Sequence, residues 1–152
     1  MKPNVTLRIA IAVFLASMGC GTTALAQTAL SYFTLTPCRV VDTRGPNGVN
    51  GGPILGPATQ RDFAIRGNCG VPTSAKAVTL NVAITAATTV SFLTAWPSGQ
   101  ARPIVATINF RSTDQALSNG ATVGLSTNAQ DLSVYNSDGN VHVILDVTGY
   151  YQ

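Results

Sequence analysis

Near each end of the chain, charges sit inside short runs that otherwise read as β-strand. Pro37-Cys38-Arg39-Val40-Val41-Asp42-Thr43-Arg44 opens the body of the sequence, and Asp146-Val147-Thr148-Gly149-Tyr150-Tyr151 closes it. An unpaired charge in such a run is costly, because burial strips its water. A fold that pairs the first strand with the last lets these charges neutralise one another. The sequence therefore predicts a buried ion-pair clasp of Arg39, Asp42, Arg44 and Asp146 between the two ends. That constrains a fold far more than it constrains a reaction.

Composition points the same way. Glutamate is absent, while Thr, Val, Ala, Gly and Asn are plentiful. This mixture is poor in helix formers and rich in strand and turn residues, as in an all-β domain. Residues 1–26 read as a secretory signal. Lys2 and Arg8 supply the positive start, Ile9 to Met18 the apolar core, and Ala24-Leu25-Ala26 a small-x-small cleavage site before Gln27. The apolar run is about ten residues, half the roughly twenty that a membrane-spanning helix needs. A rival reading anchors the chain through a lipid on Cys20, which Gly19 precedes suitably but Ser17 and Met18 do not. Residues 27–152 then form a single domain, exported to the periplasm, the cell surface or the exterior.

Losing the leader changes the charge. The whole chain carries +3, and removal of Lys2 and Arg8 leaves +1. With Lys76 its sole lysine and no basic cluster, the domain lacks the footprint of a nucleic-acid binder. It also lacks a polybasic patch for anionic membranes. Of the three cysteines, Cys20 departs with the leader, so Cys38 and Cys69 are expected to form a disulfide in an oxidising compartment. A metal site there would need more ligands than one histidine and no Cys-x-x-Cys provide. Neither a metal nor a cofactor is expected.

About nine short strands are legible: 31–36 and 38–42, split by Pro37; then 62–66, 77–85, 90–95, 104–110, 121–126, 132–135 and 141–150. The clearest is 77–85, where Val78, Leu80, Val82 and Ile84 share one face. Residues 44–57 (RGPNGVNGGPILGP) read as a long loop. Asn136-Ser137-Asp138-Gly139-Asn140 reads as the turn of a hairpin joining the last two strands. The spacing suggests a β-sandwich with jelly-roll or Greek-key connections.

Catalytic constellations are hard to assemble from these residues. His142 is the sole histidine, and its nearest acid, Asp146, lies about 13 Å along the same strand. That is beyond hydrogen-bond reach, and there is no Gly-x-Ser-x-Gly elbow. Asp42 and Asp146 could approach one another, but flanking arginines lower a carboxylate's pKa, which is wrong for a general acid. Asn136-x-Asp138-x-Asn140 lacks the glycine and glutamate of a calcium loop. A sugar- or peptide-stacking platform is more open. Trp96, in the turn Trp96-Pro97-Ser98-Gly99, could join Phe92, Tyr135, Tyr150 and Tyr151; alternatively Trp96 plugs one end of the sandwich.

In combination, Pro37 to Arg44, Cys69-Gly70-Val71-Pro72, Leu80-Asn81-Val82, Trp96-Pro97-Ser98-Gly99 and Asp146 to Tyr151 resemble a broad group of bacterial secreted β-modules. These start on proline-x-arginine-x-x-aspartate-threonine-arginine and end on aspartate-valine-x-glycine-tyrosine-aromatic. The resemblance spans residues 27–152 and implies an extracellular β-domain, without a reaction to carry over. The leading expectation is thus a non-catalytic, exported β-sandwich in structural, adhesive or self-assembling cell-surface interactions. The alternatives are a carbohydrate-binding module built on Trp96 and nearby tyrosines, with a polysaccharide partner, and a small hydrolase.

Overall fold

The computed structural model describes residues 28–128 and 130–152. The leader, its cleavage after Ala26 and the Cys20 alternative lie outside the described residues. The rest is all-β, with eight strands: β1 Tyr32–Asp42, β2 Thr59–Phe63, β3 Ala77–Thr85, β4 Ser91–Pro97, β5 Ile108–Phe110, β6 Ala116–Gly124, β7 Leu132–Asn136 and β8 His142–Tyr151. No helix among the described residues is long and apolar enough to cross a membrane.

The strands form two antiparallel sheets, ordered β1-β8-β3-β6 and β2-β7-β4-β5. Four of the pairings join β1 to β8, β2 to β7, β3 to β6 and β4 to β5. The chain is thus one long folded-back ribbon, and its rolling into two sheets brings β8 beside β3 and β7 beside β4. This is the jelly-roll solution to the β-sandwich. The first and last strands do pair, as the charged end segments require. Val78, Leu80, Val82 and Ile84 of β3 are all inward and at most 2 % exposed. They meet Val41, Phe63, Leu93, Leu132 and Leu145 in one continuous core.

Four local readings are corrected. Pro37 does not split the first strand, which is why there are eight strands instead of nine. It falls where the β1–β8 register shifts between Thr34 and Cys38, so its missing N–H is absorbed in a bulge. The second strand ends at Phe63, because the Asp131 carboxylate takes the N–H groups of Ile65 and Arg66 that a longer ladder would have used. The edge strands β5 and β6 are displaced from their expected ranges. Residues before Ile108 fold as a loop pinned on β4, with the Thr94 hydroxyl donating to the Val105 carbonyl at 2.6 Å, while β6 begins earlier, at Ala116.

The fourth correction is topological. Residues 136–140 do not close a hairpin, since β7 and β8 belong to different sheets. Asn136 is fully buried, and its amide donates to the carbonyls of Gly56 at 3.0 Å and Gly139 at 2.8 Å. Its oxygen accepts from the Ser91 hydroxyl at 2.9 Å. These bonds steer the chain across the sandwich. A turn signal such as Asp-Gly fixes local backbone only, and Gly139 does adopt φ +58°.

Candidate functional sites

The charged end segments meet where β1 runs beside β8, with Arg39 opposite Asp146 in the register. Arg39 grips Asp146 through two bonds, Nε to Oδ1 at 2.8 Å and Nη2 to Oδ2 at 3.3 Å. It also lies 3.5 Å from Asp42. Arg44 then grips Asp42 with Nε at 2.8 Å, Nη2 at 2.6 Å and its backbone N–H at 3.1 Å. The four side chains form a row, Asp146–Arg39–Asp42–Arg44. The row is not buried as expected. The arginines are about half exposed and the aspartates about a quarter exposed (48 % and 47 %, 26 % and 23 %). The strand alternation turns these side chains away from the core, so the charges are paired without full desolvation. Arg44, donating to Asp42, lowers that carboxyl to about 2. Hydrogen bonding to Asp146 raises the Arg39 pKa further. A carboxylate held so firmly ionised is an ion-pair partner, and an unsuitable proton donor.

Cys38 and Cys69 are bonded, with Cα atoms 5.7 Å apart. The bridge ties β1 to the turn at residues 67–70. His142 is half-buried, and its Nδ1 lies 3.1 Å from the Thr43 hydroxyl, which also accepts the Val143 N–H at 2.8 Å.

Two arginines carry structural roles that sequence reasoning missed. Arg66 and Asp131 form a nearly sealed ion pair, with side chains 15 % and 9 % exposed. Asp131 also accepts the backbone N–H groups of Ile65 at 2.7 Å and Arg66 at 2.8 Å. Arg66 donates further to the carbonyls of Ala75 at 2.8 Å and Ser126. Arg61 clamps the glycine-rich loop, donating to the carbonyls of Gly48, Gly51 and Pro53 at 3.0, 2.8 and 2.7 Å. Its burial lowers its pKa. These partners lie 65 residues apart in one case and are backbone carbonyls in the other, so no local pattern announces them.

The expected aromatic platform is divided. Trp96 is 3 % exposed, lies on the face of β4 opposite Leu93, and donates its indole N–H to the Gln100 carbonyl at 3.0 Å. It is therefore no exposed stacking surface, and its indole is fastened to the loop that follows it. Tyr150 and Tyr151 are on β8 in the other sheet. Tyr150 stacks on Phe33 at 5.2 Å, and Tyr151 tilts against Tyr32 at 4.9 Å. Only Phe92 and Tyr135 of the expected set come together, with ring centroids 6.4 Å apart and Arg102 4.0 Å above the Tyr135 ring.

Beside them, Phe92 and Asn109 line both of two adjoining depressions, of about 640 and 280 Å³. Arg111, Asp114 and Asp138 line the larger; Arg102 and Ile104 line the smaller. Sequence reasoning named Phe92, but the partners come from the β4–β5 pairing and the 136–140 crossover.

Together the fold and these sites define a disulfide-linked jelly-roll domain whose ends are joined by an ion-pair row. Comparison with protein-family models, with curated proteins and with solved structures finds no match for the chain.

Proposed function

We propose that this is an exported, non-catalytic β-sandwich that acts by association, in structural or adhesive assemblies at or beyond the cell surface. One observation carries the reading: among the described residues, β6 alone of the four sheet edges is unguarded. Exposed edges template pairing with other chains, so proteins protect them with charge, proline, bulges or shortness. Edge β1 carries Pro37, Arg39 and Asp42, and its register breaks twice. Edge β2 is five residues with Arg61 and Asp62, and β5 is three residues. Edge β6 is nine residues, Ala-Leu-Ser-Asn-Gly-Ala-Thr-Val-Gly, without charge or proline. It pairs with β3 in an unbroken register from Ala116 to Gly124. Residues 116–120 are exposed, including Leu117 at 39 %.

The occupant is a second copy of the same strand. Antiparallel self-pairing of an uncharged edge sets no like charges opposite one another and is the isologous contact of a two-fold dimer. All six carboxylates meanwhile accept hydrogen bonds from the fold itself. That engagement suits a scaffold. The Cys38–Cys69 disulfide suits an oxidising, extracytoplasmic compartment.

The test is size against concentration. Light scattering should show association as the purified protein is concentrated, and Leu117→Lys with Thr122→Lys should hold it monomeric without lowering its melting temperature. A wild-type protein that stays strictly monomeric, with no filaments by electron microscopy, overturns the proposal.

A further inference from the structure

The outer face of the second sheet offers a different kind of site. Phe92 is half-buried and leans at 51° against Tyr135, itself capped by Arg102. The ring is thus held in place while it lines both depressions with the exposed Asn109. Apolar contact comes from this ring. Around it stand donors (Arg102, Arg111), acceptors (Asp114, Asp138) and an amide that does both. Neither arginine forms an ion pair among the described residues. Asp114 accepts the Arg111 backbone N–H and Asp138 the Gly139 N–H, both at 2.7 Å, which fixes each carboxylate yet leaves it further lone pairs.

We propose that this groove binds a neutral glycan, its sugar ring laid on Phe92 and its hydroxyls taken by Asn109, Arg111 and Asp114. Sugar hydroxyls donate and accept at once, and the C–H face of a pyranose is apolar. They match a surface on which an aromatic plane is bordered by donors and acceptors. Two cations and two anions balance in the groove, which favours an uncharged ligand over an acidic or basic one. The carbohydrate site therefore lies at Phe92 and Asn109, away from the covered Trp96. It is separate from the β6 edge, and neither proposal depends on the other.

Isothermal titration of the intact protein with cello-, xylo-, manno- and laminari-hexaose, and with polygalacturonate as an anionic comparison, tests it. At least one neutral hexasaccharide should bind. Phe92→Ala should weaken that binding about tenfold or more, and so should Asn109→Ala, whose exposed side chain can be removed without disturbing the core. Leu117→Lys should bind like the wild type. Failure of every neutral hexasaccharide at millimolar concentration overturns the proposal. So does tighter binding of polygalacturonate, or binding that survives Asn109→Ala and a folded Phe92→Ala.

Discussion

Removing one negative charge from this domain should have very different consequences at Asp131 and at Asp146. Asp131 is 6 % exposed. Its carboxylate faces three donors at once: the Ile65 N–H, the Arg66 N–H and the Arg66 guanidinium. Its backbone adds the Phe63 carbonyl at 3.0 Å and the Ser126 N–H at 2.9 Å. Asp131→Asn keeps the shape and replaces one acceptor with an NH₂ that must point at another donor. It also leaves Arg66 charged in a site that is nearly sealed. Breaking a buried pair on one side costs about 3–5 kcal/mol.

Asp146→Asn removes the same charge from a row that water already reaches. Arg39 is half exposed and retains Asp42 at 3.5 Å, so the loss is that of a surface pair, about 0.5–1 kcal/mol. For a domain of this size, 1 kcal/mol moves the melting temperature by about 3–5 °C. Thermal unfolding followed by circular dichroism, with the disulfide intact, should thus show a drop of about 9–25 °C for Asp131→Asn. For Asp146→Asn the drop should be about 2–5 °C. Equal losses would refute the reasoning, because they would mean that exposure does not decide what these pairs are worth.

Two further perturbations probe the same sheet. Asp42 titrates at about 2 when folded, against an ordinary value near 4, so its stabilising contribution is complete above about pH 4 and disappears as pH falls through about 2. Screening at a side chain one-quarter exposed limits this to about 1 kcal/mol. The gap in unfolding free energy between wild type and Asp42→Asn should close across that window; a gap independent of pH would count against it. At Gly149, an added Cβ would lie 2.3 Å from the Tyr32 hydroxyl oxygen and 2.6 Å from the ring. Gly149→Ala should cost about 1–2 kcal/mol alone and much less in a Tyr32→Ala background. Strictly additive losses would show that the tyrosine does not rest on that glycine.

What the sequence disclosed followed from how local each cause was. The alternation of Val78, Leu80, Val82 and Ile84 is a property of the strand itself, and it placed the core face correctly. The charged end segments disclosed the β1–β8 pairing, because their neutralisation needs that neighbour. Their exposure was not legible, since it depends on which face β8 turns outward. The turn at residues 136–140 misled for a related reason. Asp138-Gly139 announces a reversal, but the choice of sheet for the outgoing strand rests with Asn136 and its bonds to Gly56, 80 positions away. Trp96 read either as a stacking surface or as a plug, because it precedes a Pro-Ser-Gly turn; the bond that fixes its indole comes from Gln100 beyond that turn, where no sequence signal marks it.

The two proposed surfaces adjoin without coinciding, which bears on how such a domain can work. Edge β6 closes one side of the first sheet and β5 the same side of the second, where the Asn119 amide donates to the Thr107 carbonyl at 2.8 Å. The groove proposed for a glycan opens beyond β5, through Asn109 and Phe92. Strand addition along β6 consumes backbone groups of the first sheet and leaves the outer face of the second sheet free. Each copy in such a dimer would carry its own groove. Paired weak sites on one rigid particle raise avidity for a polymer by orders of magnitude when both can engage. Association through an unguarded edge and weak binding of a repetitive surface polymer are therefore compatible parts of one adhesive design.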